Sequence, residues 1–177
     1  MGKEVDLKKG ELSRHVNKAL KAISDGYIIA IPLEHSYAFA CDAFKHDSVR
    51  AMNVLHGSPL FTSAQVLVGS AKTAQGVVRE ITPEISALMK KFWPGLLSLN
   101  LKPQLGLSWD LGDANQLDRI SIRVPKSKFA KALLAKSGPL AVTSGSRIGM
   151  PAPKELSDIF VLHSDLAFQF NSGKLRQ

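Results

Sequence analysis

Ile29-Ala30-Ile31-Pro32-Leu33-Glu34-His35-Ser36-Tyr37-Ala38-Phe39-Ala40-Cys41-Asp42-Ala43 is a β-rich apolar run, broken by a proline and then by a short polar cluster. The first apolar stretch reads as a buried strand that begins at Tyr27, and Glu34, His35 and Ser36 follow directly at its end. Open α/β sheets hold their ligands at that place, beyond the ends of buried strands. The stretch therefore sets the fold class and the first candidate site together.

The elements around it extend the same pattern. Before it, Leu12, Val16, Ala19, Leu20 and Ile23 recur at helical spacing, and Gly26 stands where such a helix would end. After it, Asp47 can cap a short helix carrying Val49, Met52 and Val54, which Gly57-Ser58-Pro59 terminates. Gln65 to Val68 reads as another buried strand. Thr82-Pro83-Glu84 combines a cap, a first-turn proline and an acid at the positive end of the helix dipole, so a helix should run from there to Phe92 or Trp93. Leu96 to Leu101 is an apolar strand, and Arg119 to Val124 alternates with period two like a half-buried one. A helix from about Lys128 to Lys136 leads into a strand over Leu140 to Val142. Strands alternating with helices, joined by some hairpin-like steps, predict an α/β fold with a twisted mixed sheet and flanking helices.

The 177 residues, with 45% hydrophobic content, suit one domain over residues 1–177 and are too few for two ordinary ones. No apolar run approaches the roughly 20 residues of a membrane-spanning helix, and the charged opening lacks the apolar centre of a secretory signal. The expectation is a soluble cytoplasmic protein without a membrane partner. Cys41 is the only cysteine and lies in an apolar pattern, so it reads as a buried thiol rather than a nucleophile. No Cys/His cluster has the spacing of a metal site. The formal net charge of +8 would attract nucleotides or RNA. A solvated basic surface is an equal alternative, because the lysines sit on different elements and form no single tract. Lys102 to Asp118, with a proline, two glycines and three acids, reads as a long connection suited to a mobile flap.

Three further landmarks follow the first: Phe92-Trp93-Pro94-Gly95, Ile122-Arg123-Val124-Pro125, and Thr143-Ser144-Gly145-Ser146-Arg147-Ile148-Gly149. In that order the four resemble the YrdC-like family of threonylcarbamoyl-adenylate synthases, over a span from about Gly26 to Gly149. The family pattern is roughly Pro-Thr-Glu-Thr-x-Tyr-Gly-Leu, Lys-x-Arg-Pro, Phe-Trp-Pro-Gly, Arg-Val-Pro and Ser-Ala-Asn-x-Ser-Gly. The resemblance implies a cavity on the sheet that binds ATP, L-threonine and bicarbonate. The product is threonylcarbamoyl-adenylate, used for tRNA modification, together with pyrophosphate. It also implies ATP as substrate with magnesium accompanying it, and no metal ligated by the protein.

Carried over residue by residue, the resemblance gives Pro32, His35, His56, Ser58, Arg123, Ser144 and Ser146 as ligand-binding candidates. Several have changed chemistry. Leu33 and His35 stand at the two family threonines, so those hydroxyls are absent, while Glu34 reads as a solvated loop acid. His56 stands at the lysine and Ser58 at the arginine of Lys-x-Arg-Pro. An arginine fork makes bidentate charge-assisted contacts, whereas serine carries no charge and a neutral imidazole donates once. Two lost contacts to a triphosphate, at about 1.5–3 kcal/mol each, weigh against ordinary synthase activity. Arg123 keeps the family arginine. Ser144 is retained, Ser146 replaces an asparagine, and the small hydroxyl residues after a strand can cradle an anion with backbone N–H groups. No residue is assigned a catalytic role. Phe92-Trp93-Pro94-Gly95 reads as packing of a helix end. The family's late Ser-Thr-Val-Val-Asp strand has no match near Asn171-Ser172-Gly173, so either the last strand is absent or the protein is a short variant. The alternative function is a catalytically inactive relative that serves as an RNA- or nucleotide-binding module, although RNA-stacking aromatics are lacking.

Overall fold

The computed structural model describes residues 3–159 and 166–176. Its strands are β1 (Lys3–Asp6), β2 (Ile28–Pro32), β3 (Tyr37–Asp42), β4 (Gln65–Leu67), β5 (Leu99–Leu101), β6 (Ile120–Arg123), β7 (Leu140–Ser144) and β8 (Leu166–Asn171). They form one eight-stranded sheet in the order β1-β8-β2-β3-β7-β4-β6-β5. The pairs β1/β8, β2/β8 and β4/β6 are parallel and the rest antiparallel. The helices are α1 (Leu12–Ser24), α2 (His46–His56), α3 (Ala71–Val77), α4 (Pro83–Phe92) and α5 (Lys128–Ser137).

Both faces of the sheet are covered, which is why β2 reads as continuously apolar. Ile28 and Ala30 point into one core with Val49 and Met52 of α2, Ala74 and Val77 of α3, and Met89 of α4. Ile29 and Ile31 point into the other, with Val16, Ala19 and Ile23 of α1 and Phe129 and Leu133 of α5. Helix ends follow the sequence signals. Gly57 closes α2 in the left-handed conformation at φ 77°, and the Thr82 hydroxyl accepts from Ile85 N–H to cap α4. Asp47 is an acid of the first turn of α2, whose cap position is Lys45.

Two expectations about connections are corrected. The stretch 102–118 is docked onto the core through its middle: Trp109 and Leu111 are buried, Trp109 stacks on Phe44 with ring centroids 5.3 Å apart, and the Leu111 carbonyl accepts from Ala64 N–H at 2.8 Å. A flap there would have to expose that surface. Gly112 permits the docking, because a Cβ at that position would lie 2.0 Å from Asn53 Nδ2. The second correction is β8, which lies between β1 and β2 and supplies Phe170 to the core, so the alternative in which the last strand is absent is overturned.

Cys41 is fully buried on β3, with its Sγ 3.9 Å from Met52 Sδ. Burial pushes its thiol up to about 12, so it stays protonated near neutral pH. Iodoacetamide is expected to leave Cys41 unmodified in the native protein and to alkylate it fully in denaturant. Native-state labelling seen by mass spectrometry would contradict this placement.

Among the described residues, no helix is long and apolar enough to cross a membrane.

Candidate functional site

The β2–β3 hairpin organises the site. Pro32 is the last residue of β2 and pairs with Tyr37, and Leu33 N–H donates to the Ser36 carbonyl across the turn. His35 is exposed at the tip, whereas Pro32, Leu33 and Ser36 are buried. The Pro32 carbonyl accepts from Ser127 Oγ at 2.8 Å, which ties the hairpin to the start of α5.

Glu34 is held by partners rather than solvated. Arg123 Nη1 donates to both of its carboxylate oxygens at 3.2 Å, and Lys126 N–H donates to Oε1. The same Nη1 reaches the Gly95 carbonyl at 2.9 Å, and Arg123 Nε reaches Gln65 Oε1 at 3.4 Å. The side chains of Arg123 and Glu34 are 4% and 15% exposed. The retained family arginine is therefore buried with a carboxylate already on it. Its charge is compensated before any ligand arrives.

A second cluster forms where the end of α2 meets the loop after β7. His56 Nδ1 donates to the Ser146 carbonyl, which requires the ring proton on Nδ1 because a carbonyl can only accept. Ile148 N–H returns a bond to the His56 carbonyl at 2.7 Å. Ser144 and Ser146 share a hydroxyl bond of 2.8 Å, and Gly145 N–H donates to the Tyr37 carbonyl at 3.0 Å. Gly145 is needed at this approach, since an added Cβ would sit 2.9 Å from the Tyr37 oxygen. Tyr37 in turn donates its hydroxyl to the Gly173 carbonyl at 2.7 Å and so fixes the segment after β8.

The structure thus links His56 and Ser144 through Ser146 and joins Pro32 to them through Tyr37. Arg123 lies elsewhere. It pairs with Leu67, which pairs with Leu140 at the start of β7, whereas Ser144 is at the end of that strand. Ser58 opens on a cleft of about 500 Å3 shared with His46, Arg50, Leu60 and Phe61, while Ser146 opens on a different cavity. Ser58 and Ser146 thus open on different cavities, and the candidates surround the hairpin on two sides. Reading the sequence missed Glu34 as the Arg123 partner and missed Tyr37 as the hub. Glu34 and Tyr37 both carried motif positions, but a motif position names no partner, so neither contact was signalled locally.

The model of the Sua5/YciO/YrdC family, which carries the description "Telomere recombination", matches residues 21–168. The chain belongs to this family. A Mycobacterium tuberculosis protein provisionally named a threonylcarbamoyl-AMP synthase is 36% identical over 141 residues, which cover 80% of this chain and 64% of the relative. The chain thus spans less than two thirds of that relative's length. Among solved structures, Pyrococcus abyssi Sua5 complexed with L-threonine superposes with a TM-score of 0.87 at 23% identity, over 99% of this chain and 51% of that one. Escherichia coli YciO superposes with a TM-score of 0.84 at 20% identity, over 100% of this chain and 86% of that one. These two likenesses establish the Sua5/YciO fold for the mixed sheet and its helices.

Proposed function

We propose that the chain is a divergent threonylcarbamoyl-AMP synthase-type protein that keeps the family's ligand-binding scaffold but turns its substrates over weakly. The substrates are L-threonine, bicarbonate and ATP, with magnesium carried on the ATP phosphates. In the reaction, the carbamate made from threonine and bicarbonate attacks the α-phosphorus and pyrophosphate leaves. Such a transfer depends on positioning and on stabilising charge at the phosphates.

One observation carries the reading: the cation count at the motif positions. His56 and Ser58 stand where the family has a lysine and an arginine, His56 spends its Nδ1 proton on Ser146, and Arg123 is already paired with Glu34. The hydroxyls of Ser144 and Ser146 and the backbone of the hairpin persist as polar groups for a small amino acid. L-threonine, the ligand in the Pyrococcus abyssi complex, asks less of the missing cations than a triphosphate does. Isothermal titration tests this order. L-threonine should bind measurably, and ATP should bind more weakly than charge-assisted contacts to a full clamp would allow. Absence of threonine binding at millimolar concentration would contradict the reading.

A further inference from the structure

The outer face of α2 is left uncovered by the rest of the chain. His46, Asp47, Arg50, Asn53 and Val54 recur on it at helical spacing, while Val49 and Met52 face the core. Together with the loop after Gly57 and the stretch around Gly112, this face lines the cleft of about 500 Å3 onto which Ser58 opens. The loop turns its apolar side chains outward: Leu60 is 87% and Phe61 53% exposed, and Val54 is exposed on the same cleft. Phe61 also holds φ at 62°, a left-handed conformation that a bulky side chain rarely adopts. Backbone strain that presents an aromatic ring to water, beside two further exposed apolar residues, marks a contact surface.

The charge of this cleft differs from that of the whole chain. The chain carries +8, whereas the cleft has one arginine, Arg50, against two aspartates, Asp47 and Asp110. A polyanion is disfavoured there, and a second copy meets none of the repulsion that a basic face would offer. Asp110 is committed within its own loop, since its Oδ1 accepts from the Gly112 and Ala114 N–H groups at 2.9 and 3.0 Å. Arg50 and Asp47 stand one helical turn apart on the exposed face, and among the described residues neither takes part in an ion pair. A two-fold axis crossing α2 between them sets Arg50 of each copy against Asp47 of the other. The pattern is therefore self-complementary, as an isologous contact requires.

We propose that this face is a homodimer interface, in which α2 packs antiparallel on α2 of a second copy. Arg50 pairs with the other copy's Asp47 on both sides of the axis, and Leu60 and Phe61 of each protomer reach the His46 end of the other's cleft. The projecting loop and the cleft that receives it lie on one surface, so the contact closes at two copies. The patch is small, which makes the dimer weak and dependent on concentration.

The experiment is sedimentation velocity of the full chain from micromolar to near-millimolar concentration. The wild type should shift from the mass of one chain toward that of two. Arg50→Asp and Asp47→Arg, each alone, place like charges across the axis and should weaken the dimer at least roughly tenfold. An equimolar mixture of those two variants should dimerise again, because one chain then offers both acids and the other both arginines. Leu60→Asp combined with Phe61→Asn should stay monomeric throughout with an unchanged circular dichroism spectrum, since Leu60 is exposed and asparagine tolerates the left-handed conformation. A wild type that is monomeric at every concentration would overturn the proposal and leave the face to a different occupant. So would a dimer that these variants do not weaken, or a variant mixture that fails to restore it.

Discussion

Glu34→Ala is expected to lower the unfolding free energy by about 3–5 kcal/mol, the cost of leaving a buried charge without its partner. The removed carboxylate accepts both bonds from Arg123 and one from Lys126 N–H, and the Arg123 side chain is only 4% exposed, so water cannot take its place without opening the structure. Glu34→Gln should cost less, because an amide oxygen can still accept from Lys126 N–H. Replacing the pair with Glu34→Leu and Arg123→Met should recover much of the loss, since the buried charge is removed along with its partner. Urea unfolding followed by circular dichroism measures all three. A loss below about 1 kcal/mol for Glu34→Ala would place the pair among exposed ion pairs and contradict the structural role given to Arg123.

The second large effect concerns nucleotide affinity. His56→Lys combined with Ser58→Arg restores the residue types of the family's Lys-x-Arg-Pro at the last residue of α2 and just beyond its cap. Each charge-assisted contact to phosphate contributes about 1.5–3 kcal/mol, so one well-placed side chain is enough for a gain of at least tenfold in ATP affinity. The substitution also releases the Ser146 carbonyl from the His56 ring, while the Ile148 N–H to His56 carbonyl bond survives because it belongs to the backbone. The loop should therefore remain docked. Calorimetric titration with magnesium-ATP should show the gain, and L-threonine affinity should change little. Unchanged ATP affinity in a folded double variant would mean that these positions do not face the phosphates.

The sheet was legible where burial is continuous or strictly alternating. The stretches 28–31 and 140–142 fall on strands of one sheet, 66–68 and 120–124 overrun theirs by one residue, and the apolar stretch 97–101 contains the shorter β5. β1 was not legible because Lys-Glu-Val-Asp at a sheet edge has one buried side chain in four. α3 was hidden for a similar reason: it buries only Ala74 and Val77, and its cap, Ser70, looks like any loop serine. The stretch 102–118 looked like a flap because of its length, its proline, two glycines and three acids, whereas Trp109 and Leu111 decide its packing.

The site was legible only in part. Motif order located the hairpin, the end of α2 and the loop after β7, and the direct contact of His56 with Ser146 brings two of those landmarks together. The pairing of Arg123 with Glu34 spans 89 positions, and no local pattern reports which acid a buried arginine will meet.

The central claim is that the scaffold is kept while adenylyl transfer is attenuated by lost phosphate cations. Its most direct test is pyrophosphate release from magnesium-ATP in the presence of L-threonine and bicarbonate, measured for the wild type beside the His56→Lys plus Ser58→Arg variant. The account predicts slow release by the wild type and at least a tenfold faster release by the variant. Rapid release by the wild type that the variant does not exceed would contradict it.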